Sequence, residues 1–361
     1  TNLPSINSGQ IGGRRNIVIN GEMKVAQRAT SATGKTGGTS GYFALDRWKL
    51  QDGTIGTAGR CTIAQIADGP AGFANCLKIS ATTADTSIDA REALILQTRF
   101  EGQDLQQLKK GTSSAEQVTV SFYVKGNAAA LYVCELHDVD NGRNNTQSFA
   151  VTTDWNRIEL TFAADTSDPL DDDTAVSLSL NFWLHSGSNY SGGTFASNTW
   201  ADITLANTTA VANRTSIYDS TNRTFFLTGV QMEIGSTATD FEHRSFCEEY
   251  DLCKRYYYQS YDLGVAAGTT SNAGAIMIYS ITGNTFRYNI YFSPSMRASP
   301  TMTFYNVEDG TAGEMNREGA GGTSPEEIAI TFNSPKRAML YNTNIGIAGN
   351  YYFHYTASAE L

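Results

Sequence analysis

The chain has 361 residues, enough at roughly 100–200 residues per domain for two domains, and 40% of them are hydrophobic, which supplies material for two cores. Twenty-six basic against 36 acidic residues leave a net charge of −10, and with no Lys/Arg cluster to track a phosphate backbone, nucleic acid is not an expected partner. No apolar run reaches bilayer length, and the opening TNLPSINSGQIGG has neither the charged nor the apolar region of an export signal, so neither membrane insertion nor export is expected.

Thirty-three Gly and seven Pro, with abundant Ser, Thr and Asn, suit short strands and turns and favour an all-β architecture. Five cysteines, Cys61, Cys76, Cys134, Cys247 and Cys253, are an odd set for a disulfide framework and fit synthesis in a reducing cytosol.

In chain order, residues 1–15 are polar and Gly-rich and read as an attachment segment. Asn16–Gly21 predicts a short strand, and residues 31–41 a flexible loop. Within that loop Gly34, Lys35 and Thr36 repeat the last three residues of a phosphate-binding P-loop, but the earlier Gly is missing and no helix follows, so it is read as ordinary surface. Further strands are expected from Arg60 to Ser80 and from Ala90 to Phe100. Glu101–Gly111 predicts a short helix stopped by Gly. Val118, Val120, Phe122 and Val124, then Ile158, Leu160 and Phe162, then Leu178, Leu180, Phe182 and Leu184 alternate with the period of half-buried strands. A last strand carries Phe226, Val230, Met232 and Ile234 on one parity. Together these predict a jelly-roll β-sandwich over residues 16–244.

Ser245, three residues before Glu248, has the spacing of a helix cap, and a connecting helix is expected over residues 245–262. Phe246, Tyr250, Cys253 and Tyr257 would form its apolar stripe, with Tyr250, Cys253 and Tyr257 the candidates for a subunit or domain interface. Five strand-like runs over residues 263–361 predict a second, smaller β-sandwich. Tyr351, Phe353 and Tyr355 alternate there with Tyr352 and His354, which suggests a core on one face and a neighbouring subunit on the other. The longest polar insertion, Asn306–Pro325, supplies the receptor-binding candidates Glu308, Asp309, Asn316, Arg317 and Glu318, whose donors and acceptors suit sugar hydroxyls.

Catalytic chemistry has little to stand on. His137, His185, His243 and His354 are scattered without metal-ligand spacing, and no G-x-S-x-G turn occurs. Carboxylate pairs for glycoside cleavage are the one enzymatic option. Asp138-x-Asp140-x-Gly142 and the run Asp168–Asp173 are either Ca²⁺ loops or solvated loops, the first lacking the closing Glu of an EF-hand. No enzyme, metal or cofactor is expected.

NIVINGEMKVAQR at 16–28, Asp46-Arg47-Trp48, GVQMEIGSTATDFEHRSFCEEYDLCKRYYY at 229–258, Pro294–Thr301 and the final Ala359-Glu360-Leu361 resemble, in order, motifs of bacteriophage tail-fibre proteins. The short helix, strand, loop and W-x-R-x-x-L-x-F strand at 155–162 are similar to carbohydrate-binding jelly-roll modules. The resemblance implies a virion protein made in the host cytoplasm, a homotrimer fixed to the tail or another virion protein through its N-terminus, with residues 263–361 binding a host-surface glycan. A capsid-attached fibre or decoration protein, or a secreted glycan-binding module of a bacterial enzyme, are the alternatives.

Overall fold

The computed structural model describes residues 5–6, 9–10, 14–53, 56–280, 286–318, 326–327, 329–342 and 348–361. Most of the expected attachment segment lies outside them. The chain forms two compact units, one of Thr1–Lys24, Ser31–Arg244 and Leu361, the other of Val25–Thr30 and Ser245–Glu360. Residues 25–30, which the sequence grouped with the first domain, thus join the second unit.

The first unit is a two-sheet antiparallel sandwich. Its first sheet has the spatial order Asn156–Phe162, Val118–Gly126, Thr224–Ile234, Cys76–Thr83, Arg60–Ile66 and Ser31–Lys35. The second runs Ala201–Asp202, Arg143–Val151, Ala130–Asp138, Val176–Ser186, Ala93–Glu101 and Lys49–Asp52. One parity of each strand turns inward, so Val120, Phe122, Leu227 and Met232 of one sheet share a core with Leu96, Cys134, Leu180 and Phe182 of the other. Phe122 and Phe182 meet edge to face across it, ring centroids 5.0 Å apart.

Four local expectations are corrected. Asn16–Gly21 is not a strand: Ile17 N–H bonds Met232 O at 2.9 Å, but the Asn16 side chain supplies the rest, accepting from Met232 N–H at 3.1 Å and donating to Val230 O at 3.2 Å. Glu101–Gly111 is two 3₁₀ turns, Gly102–Asp104 and Gln106–Leu108, followed by left-handed Lys109 and Gly111. The P-loop-like triplet ends a strand, and the buried Thr36 hydroxyl sits 2.8 Å from Tyr218 Oη and 2.9 Å from Gly59 O. In Thr224–Ile234 the register slips between Thr228 and Gln231, and the inward parity changes there. Phe225 and Leu227 therefore face the core with Val230 and Met232, while Phe226 lies half-exposed under the ammonium groups of Lys78 and Lys125.

In the second unit, Gly349–Ser358 is the strand on which the rest assembles. Tyr257–Gln259, Ile276–Ser280, Thr301–Tyr305 and Glu314–Arg317 all pair with it antiparallel, and Glu326–Glu327 extends the sheet. A three-stranded sheet of Phe286–Tyr291, Arg337–Asn342 and Ala329–Ser334 contributes Ile290 and Leu340 to the same core as Ile278, Phe304, Met315 and Phe353. The helix is Phe246–Lys254, and the Ser245 hydroxyl accepts from Glu248 N–H at 3.3 Å. It ends sooner than expected because Tyr257 enters a strand opposite Ser358, which removes Tyr257 from the predicted stripe. Of the second parity of the last strand, His354 is covered from within the unit, while Tyr352 stays half-exposed opposite exposed Met277. Tyr261 stacks on the imidazole at 3.8 Å, and the ring nitrogens bond Ser260 Oγ and Ser271 O.

Candidate functional site

The strand Val176–Ser186 is buried on both faces. Leu178, Leu180, Phe182 and Leu184 fill the core, so Ser179, Asn181 and Trp183 must project from the outer face of the second sheet. Register carries that outer face across the neighbouring strands in rows. Trp183 lies between Ile95 and Val133, with Gln51 beyond Ile95; Asn181 lies between Gln97 and Glu135; Ser179 lies between Arg99 and His137. Directly opposite residues share a face at van der Waals reach, so an apolar row and two polar rows run side by side.

A cleft of about 300 Å³ opens over these rows, with Val139, Val176, Ile203 and Leu205 also in its wall. The short helix Ser188–Ser191 seats Tyr190 against Trp183, ring centroids 5.2 Å apart, over Ala93, Ile95 and Val133. The indole is thereby held in one orientation.

Glu135 organises the polar row. Its carboxylate, 3% exposed, accepts from Trp183 Nε1 at 2.6 Å, Asn181 Nδ2 at 2.9 Å and Asn144 Nδ2 at 2.7 Å. Neutral donors thus satisfy a buried charge without an ion pair. The same bond fixes the Asn181 amide, whose Oδ1 has no hydrogen-bond partner among the described residues although Asn181 lines the cleft. Arg99 Nε donates to Gln97 Oε1 at 2.5 Å, which orients both the guanidinium and the second planar amide.

Fixed planar amides beside an indole and aliphatic side chains offer a ligand both hydrogen-bonding edges and a flat apolar surface. A second depression of about 370 Å³, bordered by Leu105, Gln106, Lys109, Lys110 and Leu170, has its polar groups engaged internally. There Gln106 Nε2 bonds Gly102 O and Asp171 O, and Lys109 pairs with Glu116 at 2.6 Å. Behind it Lys110 Nζ stands 2.6 Å from Asp138, the first residue of one of the two segments read as a Ca²⁺ or a solvated loop, and 3.1 Å from Asp165, which lies in neither.

No family model and no curated protein sequence matches the chain. Solved structures similar to part of it include a family 30 carbohydrate-binding module, at 12% identity over 61% of this chain and 88% of that one, TM-score 0.29. Another is the family 11 module from Clostridium thermocellum in complex with a β-1,3-1,4-mixed-linked tetrasaccharide, at 13% identity over 60% and 100%, TM-score 0.28. A third is the enzymatically active domain of bacteriophage CBA120 tailspike protein 4, at 13% identity over 52% of this chain and 19% of that one, TM-score 0.27. These are partial likenesses at low TM-score, and the cleft itself carries the functional reading.

The residues singled out from sequence fall elsewhere. Asn316 and Arg317 are not on a loop: they lie in the strand Glu314–Arg317 opposite Tyr352 and Tyr351, and Asn316 is only 2% exposed. Glu308 and Asp309 sit in an exposed turn, and exposed Glu318 accepts from Asn350 Nδ2 at 2.6 Å. The rest of the expected loop, residues 319–325, lies outside the described residues. Of the interface candidates, Cys253 and Tyr257 are buried, with the Arg28 guanidinium 3.7 Å from the Tyr257 ring centre. Only Tyr250, half-buried and stacked on Phe246, keeps surface for a subunit contact. Sequence reasoning missed Gln97, Arg99, Glu135, Asn181 and Trp183. The available signal was the second parity of VSLSLNFWLHS and ALYVCELHD, where amide, carboxylate and indole recur on the face opposite the aliphatic one.

Proposed function

We propose that the chain is a non-enzymatic glycan-binding adhesin, a tail-fibre or receptor-binding protein of a phage virion. The observation that carries the glycan part is the cleft in which the Glu135-anchored amide of Asn181 and the Gln97–Arg99 pair run beside Trp183 and Ile95. A pyranose ring has the matching chemistry, with hydroxyl pairs at its edge and C–H groups on its face. The phage part is supported by the ordered tail-fibre-like motifs from residue 16 onward.

In this reading the chain is a homotrimer, residues 1–15 attach it to the virion, and the cleft of the first unit meets the host glycan. Retention of the full chain on a printed array of bacterial surface oligosaccharides, lost on Asn181→Ala with the thermal transition kept, tests the glycan site. Equal retention by that variant would remove the cleft from the account. Sedimentation equilibrium tests the trimer, and a monomer of 39.1 kDa at micromolar concentration would exclude it.

A further inference from the structure

We infer that the cleft selects an acidic saccharide, one bearing an oxyanion as a uronate carboxylate, a phosphate or a sulfate. This rests on the reading of the cleft as a glycan site and adds to it the ligand's charge. The decisive residue is Arg99. Its side chain is half-buried, yet no carboxylate lies within ion-pair distance of it among the described residues, in a chain of net charge −10. Its hydrogen bond as donor is Nε to Gln97 Oε1, which aims the fork and leaves the terminal nitrogens for a ligand. A half-buried guanidinium is ordinarily matched to a carboxylate or phosphate in its fork geometry.

The neighbouring carboxylates do not fill that role. Glu101, two residues on along the same strand, is fully buried and accepts from Gln103 Nε2 at 2.9 Å, with no ion pair to Arg99 among the described residues. Glu135 lies in the adjoining row and is closed by Trp183, Asn181 and Asn144. Ser179 and His137, the residues of Arg99's own row, complete the pocket with small and planar polar groups, and neither is acidic. Asn181, whose amide is fixed by Glu135, lines the same cleft. One cationic fork on a cleft floor otherwise lined by neutral polar groups and the closed Glu135 carboxylate fits a sugar carrying an anionic group.

The test is an array of oligosaccharide pairs that differ only in a carboxylate, a phosphate or a sulfate, probed with the full chain. The acidic member of at least one pair is expected to be retained about tenfold or more better than its neutral partner. That preference should shrink as salt is raised and vanish in Arg99→Gln, with Arg99→Lys intermediate. Which class wins identifies the anion. Equal retention of the members of every pair overturns this inference while leaving the glycan reading standing. So does a preference that salt leaves unchanged, which is measured on the unaltered protein and does not depend on the variant folding. Retention of no member of any pair overturns both.

Discussion

Glu135 Oε2 accepts the indole N–H of Trp183 at 2.6 Å and the Asn181 amide at 2.9 Å, so one buried carboxylate sets two of the groups that face the cleft. Glu135→Gln replaces an acceptor by an NH₂ group that must point either at Asn144 Nδ2 or at the Asn181 and Trp183 donors together. A lost hydrogen bond of this kind, with buried donors left over, costs about 1–3 kcal/mol. The urea midpoint should fall accordingly, and glycan retention should fall with it because Asn181 and Trp183 lose their common anchor. An unchanged midpoint would show that the carboxylate is dispensable.

Gly229 sits where the inward parity changes, at φ +61°, and a Cβ there would lie 2.8 Å from Phe73 Cζ and 3.0 Å from the Tyr123 ring. Gly229→Ala should destabilise the first unit by more than Gly142→Ala. Gly142 has a similar φ of +65° but open space around a Cβ, so it reports the backbone strain alone, about 1–2 kcal/mol. Denaturant midpoints of the two variants compare them directly. Equal effects would mean that the rings move aside.

Lys110 is 6% exposed between Asp138 and Asp165, which are 0% and 4% exposed. Lys110→Met leaves two buried carboxylates short of a cation, although Arg143 still reaches Asp165 at 3.2 Å. Breaking a buried pair from one side costs roughly 3–5 kcal/mol. The variant should melt well below the parent, and a loss under 1 kcal/mol, about the size of an exposed pair, would contradict the buried geometry.

Burial pushes His185 down to about 4, with Asp85 opposing and Arg214 adding to the shift. Its Nδ1 faces Ser216 Oγ at 2.7 Å and its Nε2 stands 3.5 Å from Glu92 Oε2. An unfolded imidazole titrates near 6.5, so between that pH and about 4 the unfolded chain takes up a proton that the folded chain refuses. Stability should therefore fall as pH drops through this window, by about 3 kcal/mol from this residue, and level off below it. His185→Gln should flatten that part of the profile; an unaltered slope would assign the effect to other groups.

What could be read in the sequence was whatever depends on neighbours along the chain. Val120, Phe122 and Val124, or Leu178, Leu180 and Phe182, declare their inward face by alternation alone, and Ser245 with Glu248 marks its helix start. The cleft was hidden because its bonds are long-range: Glu135 meets Asn181 and Trp183 from 46 and 48 residues away. A parity rule says which side chains leave the core, but not which of them meet. Glu314–Arg317 was hidden for the same reason. EMNR has little intrinsic preference for a strand and becomes one by pairing with Tyr351 and Tyr352. The parity change at Gly229 is legible only as a glycine in an apolar run, and that alone does not tell a bulge from a bend.

The dependence of four strands on Gly349–Ser358 also sets an order of events during synthesis. Tyr257–Gln259, Ile276–Ser280, Thr301–Tyr305 and Glu314–Arg317 leave the ribosome before the segment they all pair with. Both sheets of the first unit, by contrast, are complete in sequence by residue 234. The first unit can therefore form while the second still exposes unpaired backbone edges, the kind of surface on which growing chains stick to one another. Release of one ten-residue segment ends that period.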